Sequence, residues 1–337
     1  MEKHNIRLTA PEMSSLWTQY MFDTMSICFL KYALEHIEDT DTLEIYKTAL
    51  QLSEHHVQQI ELFFKGENYP IPIGFTEKDV DVKAPRLFQD PFYLYYLYIM
   101  SLQGLTGYAL SVSTSIRADL RKYYITCNTE TMMLFEKVLD TMLAKGLFMR
   151  PPVLTPSESA DFVKHQSFLT GWFGERRPLT SMEIGDITFN MNKMHLHIAL
   201  KVAFCQIAKS DKVRKYISRG VDISNKHITE FETIFREEKL NSPNSWQSYI
   251  TDSTVSPFSD KFLMYQVQLS TQIAVAFYGA ALSVTSRRDL ALKYVMLTEE
   301  IAKYAEDGAN LMIENQWLEE PPKASDRRSL LKGKKTK

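Results

Sequence analysis

The sequence predicts an all-α protein built as two tandem four-helix units. Three observations carry that reading: few turn residues, a chain that repeats itself, and one long irregular connection inside each repeat. The 337 residues include 12 glycines and 13 prolines, where average usage would give roughly 40 of the two together. Turns draw on those residues, so a chain short of them is made of long elements. At an offset of 170, Tyr108, Ser113, Arg117, Asp119, Leu120, Tyr124, Glu130, Glu136, Met142, Pro151 and Pro152 fall on Tyr278, Ser283, Arg287, Asp289, Leu290, Tyr294, Glu300, Glu306, Met312, Pro321 and Pro322. Chance would match about three residues in a stretch of that length. Upstream the offset is 171, and Ser53, His56, Glu61, Phe64, Glu67 and Pro72 match Ser224, His227, Glu232, Phe235, Glu238 and Pro243. The units expected are residues 1–152 and 177–322, each long enough to bury a core. Residues 153–176 form the joint and 323–337 a basic tail.

Within the first unit, Leu16, Tyr20, Ile27, Leu30 and Leu34 recur at helical spacing, as do Ile45, Ala49, Leu52, Ile60 and Phe63. Asp39, Thr40 and Asp41 read as the turn between these two helices, with Asp41 and Glu44 as a capping box. The second helix stops near Gly66. From Glu67 to Gln89, with Pro70, Pro72, Gly74 and Pro85, no helical period appears, and so long a connection is rare inside a compact domain. Asp90 and Pro91 supply an N-cap and a first-turn proline for a third helix running to about Val112. A fourth follows the Arg117–Asp119 break and ends before Pro151 and Pro152. Two short connections flanking a long one is the single-crossover, ferritin-like connectivity. The joint ends in Gly171, Trp172, Phe173 and Gly174, too aromatic for a free linker, so it is expected to be ordered with both rings buried.

The strings PRLFQDPFYLYY (residues 85–96), SFLTGWFGERRPL (167–179), TDSTVSPFSDK (251–261) and YAEDGANLMIENQWLEEPP (304–322) resemble the Bacillus domain of unknown function 3231 family. The resemblance spans nearly the whole chain, duplication included. It implies a pair of ferritin-like units related in fold to spore coat protein F, and no established activity.

A ferritin-like di-iron centre needs a Glu from each of two helices and a Glu-x-x-His from each of the others. The third helix has no Asp, Glu or His from Phe92 to Ser115, nor does its copy from Phe262 to Thr285. Where Glu-x-x-His should stand in the second helix the chain has Ser53 with His56, and Ser224 with His227. In the fourth it has Glu130 with Met133, and Glu300 with Lys303. Neither unit keeps the di-iron set. In the first, Asp23 is in phase with Leu16, Tyr20 and Ile27, and His56 with Ala49, Leu52 and Phe63, so both face inward. Each lies about 16 or 17 residues from the turn between the helices, which at 1.5 Å per residue is one height. Glu130 reaches the same level. Asp23, His56 and Glu130 are therefore candidate ligands of a mononuclear divalent metal, Fe, Mn or Zn, with His227 and Glu300 as second-unit counterparts. The other reading is a hydrogen-bonded polar layer left from an ancestral site. Met194 stands where Asp23 would repeat. His195 and His197, two apart on one helix, diverge too far to share a site, and one is expected at the surface.

No Ser–His pair has a nucleophile elbow, which disfavours hydrolysis. Tyr93, Tyr95, Tyr96 and Tyr98 read as a helix packed on several sides. Net charge is -2, so no global field recruits nucleic acid, and the tail's six basic residues from Arg327 to Lys337 read as a solvated end. Cys28, Cys127 and Cys205, unpaired in spacing, argue against disulfides or zinc and fit a reducing compartment. No run reaches the 18 apolar residues of a membrane span. The expectation is a non-catalytic structural or interaction protein with no cofactor, acting through protein partners or self-association, cytoplasmic or associated with the spore or its coat. The alternative is a metal-binding, oxidoreductase-like protein.

Overall fold

The computed structural model describes residues 7–172 and 176–331. The first unit comprises α1 (Ala10–Leu34), α2 (Thr40–Gly66), α3 (Asp90–Thr114) and α4 (Ala118–Ala144). The second comprises α5 (Ser181–Ile207), α6 (Asp211–Glu237), α7 (Asp260–Val284) and α8 (Arg288–Glu314). A short α9 (Arg327–Leu331) follows. In each unit the first and second helices form one hairpin and the third and fourth another, packed side by side as a four-helix bundle. The duplication is visible in backbone detail: Asn68 and Lys239 are left-handed at φ 56° and 57°, and so are Gly146 and Gln316 at 66° and 58°. The equivalent positions close α2 and α6, and α4 and α8.

The long connection does cross the bundle. Asp90, at the start of α3, accepts from Glu38 N (3.1 Å) and Asp39 N (2.6 Å) in the α1–α2 turn. At the other end Glu12 Oε1 accepts from Ile116 N and Arg117 N, both at 2.8 Å. The chain must therefore travel the bundle's length between Gly66 and Asp90. These bonds also revise the caps. Asp39 is the N-cap of α2, taking Thr42 N at 2.9 Å, while Glu44 pairs with the exposed Lys47. Gln89 is the N-cap of α3 and makes no side-chain cap, since the Asp90 carboxylate is spent on the neighbouring turn.

The two crossovers lie antiparallel against each other. Asp81 N donates to Pro257 O (2.7 Å) and Thr251 N to Leu87 O (2.9 Å); Gln89 N donates to Tyr249 O (2.9 Å) and Ser259 N to Asp79 O (3.0 Å). The partners in each couple interchange under the repeat offset, so this is one contact made twice about a pseudo-twofold axis, the geometry of a symmetric dimer. Aromatic packing repeats it: Trp246 stacks on Tyr95 with centroids 4.1 Å apart, and its counterpart Phe75 meets Tyr265 at 5.1 Å. One apolar core runs through both units, with Phe29, Phe88, Phe92, Phe258 and Phe262 at its centre. Tyr93, Tyr95, Tyr96 and Tyr98 are all buried, because this end of α3 is covered by α1, α4, α5 and the crossover.

The joint departs from expectation. Residues 153–166 are exposed, and Trp172 is 53% exposed; Phe173 lies outside the described residues. What holds the joint's end is charge. Arg177 sits over the Phe168 ring at 4.1 Å and pairs with the buried Glu183. Among the described residues, α7 is the helix long and apolar enough by length and composition to cross a membrane. Its first half is packed inside the protein, burying Phe262, Leu263, Met264 and Val267, while its second half is largely half-buried or exposed.

Candidate functional site

His56 on α2 lies between two carboxylates from two other helices. Its Nδ1 is 3.4 Å from Asp23 Oδ2 on α1, and its Nε2 is 3.4 Å from Glu130 Oε2 on α4. The three residues thus meet at one level, and helical phase brings them there. They do not converge on a common point, because the carboxylates sit at opposite nitrogens of one ring. Among the described residues no three His, Cys, Asp or Glu side chains form a group that could hold a metal ion. Tyr108 of α3 adds its hydroxyl 3.5 Å from His56 Nδ1, an oxygen where the di-iron set would need an acid. Burial alone would lower the His56 pKa, but the Asp23 carboxylate and the Cys127 sulfur outweigh it and raise it to about 11.

The second unit keeps half of this layer. His227 Nε2 is 3.0 Å from Glu300 Oε2, and Nδ1 is 3.3 Å from the Tyr278 hydroxyl. Met194 replaces the acid, so nothing offsets burial on the Nδ1 side, while Lys226 draws Glu300 outward at 2.9 Å. The His227 pKa is lowered by burial, which the Glu300 contact only partly opposes. Two histidines equivalent by descent are thereby pushed in opposite directions: Met194 and Leu297 stand where Asp23 and Cys127 raise His56, and Lys226 and Lys201 add positive charge beside His227.

Four basic residues buried on α5 went unremarked or were misplaced at the sequence level. His195 and His197 are both 5% exposed, so neither is at the surface, and neither Nε2 has a hydrogen-bond partner. Burial pulls His195 down to about 4 and His197 well below its ordinary value. Lys201 donates to Ser224 Oγ at 2.8 Å, and burial lowers its pKa to about 8. Lys193 has no hydrogen bond and places Nζ 3.3 Å from the Phe277 ring centroid and 4.2 Å from that of Phe189. The repeat alignment held the signal, since Lys193, His197 and Lys201 fall on Phe22, Ser26 and Leu30 of the first unit's inward face.

Comparison with known proteins places the chain in a family. No curated protein matches the chain. A solved structure described as a spore coat protein of Bacillus halodurans C-125 is similar at 20% identity and a TM-score of 0.41, over 45% of this chain and 98% of its own. The model of the family described as "Protein of unknown function (DUF3231)" matches residues 1–159 and again 167–330, once for each unit, and the chain belongs to that family.

Proposed function

We propose that this protein is non-catalytic, a structural or interaction protein in which two helical bundles are locked as a pseudo-dimer. The observation that carries the reading is the opposed placement of Asp23 and Glu130 about His56. A ring whose two nitrogens face different acids acts as a polar tie between three helices, and a metal ion would need those acids on one side of it. The lack of any Asp, Glu or His from Phe92 to Ser115, or from Phe262 to Thr285, points the same way. A mononuclear metal site is the second reading, favoured by three ligand-type side chains within 3.4 Å contacts at one level. Elemental analysis of freshly purified protein separates them. The expected outcome is no stoichiometric Fe, Mn or Zn, with His56→Leu altering stability alone. Stoichiometric metal that is lost in His56→Leu would establish the second reading instead. For location we propose the spore-forming cell's cytoplasm or its spore, on the family resemblance. A fluorescent fusion that stays off the developing spore would reject the spore.

A further inference from the structure

The two units differ most where α1 faces α3 and where α5 faces α7. In the first unit this is a cleft of about 380 Å³ that opens to the surface and reaches Asp23 and His56. In the second, the matching space is a cavity of about 30 Å³, room for little more than water. The residue pairs explain the difference. Thr18, Ser26, Gly104 and Gly107 of the first unit become Phe189, His197, Ala274 and Phe277 in the second. Phe189 and Phe277 meet there with centroids 4.9 Å apart and Lys193 lies across both rings, closing the mouth. In the first unit, Phe22 leans away toward Tyr265 of α7, 6.5 Å between centroids, and a Cβ built at Gly107 would meet nothing within 4 Å.

The floor of the cleft is chemically unfinished. Asp23 is 6% exposed and its Oδ2 makes no hydrogen bond; its polar neighbour is His56 Nδ1 at 3.4 Å. Gln19, 5% exposed, likewise leaves Oε1 without a donor. A buried acceptor without a donor, beside a buried carboxylate oxygen with only a long contact to His56, is costly to leave unmade. Among the described residues neither lysine nor arginine lines the cleft, whose walls are mostly apolar, with Met25, Leu30, Leu97, Met100 and Leu269 among them. The size and the mix of an apolar wall with a few convergent polar atoms are those of a small-molecule site.

We propose that this cleft binds a small amphiphile with an apolar body and a cationic amine head, the ammonium group donating to Asp23 Oδ2 and Gln19 Oε1. A carboxylate head would meet Asp23 with His56 alone to balance it, and a neutral chain would leave Gln19 Oε1 dry and Asp23 Oδ2 with its His56 contact alone. The proposal rests on the reading that no metal is held here, since an ion on Asp23 and His56 would take the place of the ammonium; elemental analysis tests that reading separately.

The test is isothermal titration of the full chain with dodecylamine hydrochloride and dodecanoate, each below its micelle concentration, and with dodecanol below its solubility limit. Saturable binding of one dodecylammonium is expected, tighter than either other head by roughly ten-fold or more, the factor a charge-assisted hydrogen bond adds. Gly107→Phe, which copies the second unit's stopper into open space, should abolish binding while leaving the helical circular dichroism signal intact. Asp23→Asn should erase the preference for the amine. If Asp23→Asn fails to fold, the head-group series on the parent protein carries the charge argument. No saturable binding, binding undiminished in folded Gly107→Phe, or a preference for dodecanoate or dodecanol would overturn the proposal.

Discussion

Replacing Lys193 by methionine should stabilise the protein, and the reason can be worked through from its surroundings. The side chain is 3% exposed, its ammonium has no hydrogen bond, and burial brings its pKa down to about 6, with the Asp186 carboxylate only weakly opposing. An unfolded chain would hold that proton up to about pH 10.4. Between these values the unfolded state binds more protons than the folded one, so stability rises with pH across the window and is lowest near and below pH 6. At pH 7 the gap to the unfolded value is about 3.4 units, which at 1.36 kcal/mol each sets an upper bound of about 4–5 kcal/mol. Attraction of the ammonium to the faces of Phe277 and Phe189 acts only on the charged form, the minor one at pH 7, so it takes back less than about 1 kcal/mol there. The residual penalty is then at most about 4 kcal/mol. Methionine keeps the length and flexibility and carries no charge to desolvate. Urea unfolding followed by circular dichroism should therefore show Lys193→Met more stable by up to about 4 kcal/mol at pH 7, with an unchanged m-value and a gain that shrinks toward pH 10. A variant no more stable than its parent at pH 7, or a gain flat with pH, would refute the reasoning.

Two further outcomes are expected. In proton NMR, the His227 imidazole should titrate below its ordinary value of about 6.5, while His56 should stay protonated well above pH 7; Asp23→Met should bring His56 down toward His227, and identical titrations in the parent protein would count against the account. Limited proteolysis in the exposed stretch 153–166 should nick the chain without separating the halves, because the paired crossovers and the shared core hold them; two independent fragments eluting separately under native conditions would show the interlock to be weak.

The sequence disclosed what depends on local pattern and on repetition. Helix extents followed from apolar spacing, the crossover from its prolines, and the meeting of Asp23, His56 and Glu130 from helical phase and height. What escaped it depends on neighbours distant in sequence. Asp90 looks like a cap for its own helix but bonds the turn ahead of α2, and only the three-dimensional approach of that turn decides between the two. Trp172 looks like a core residue by type, yet the seam it would have filled is already occupied by the crossovers. The opposed approach of two acids to one imidazole is a matter of rotamers, which spacing cannot supply. The buried lysines of α5 were hidden for a related reason, since a long basic side chain on an inward stripe ordinarily carries its charge out to water.

The pseudo-twofold contact explains how two copies could diverge so far within one fold. A symmetric dimer of identical chains must carry every substitution in both partners, so a residue suited to one side is imposed on the other. Here each half keeps what the contact needs: the crossover bonds exchange by the offset, and Glu12 with Arg117 reappears as Glu183 with Arg287 at the same turn. Those shared elements lie at the ends of the bundles and along the seam. The middle of each bundle, where the α1 and α3 faces or their copies look at each other, is under no such constraint. It is there that one unit holds Asp23 beside its imidazole and an open cleft, and the other Met194 beside its imidazole, two buried lysines and two phenylalanines packed edge to face. Fusion of the copies separates the interface, which must match, from the interiors, which need not, and the difference between the interiors is where the chemistry of this protein is to be sought.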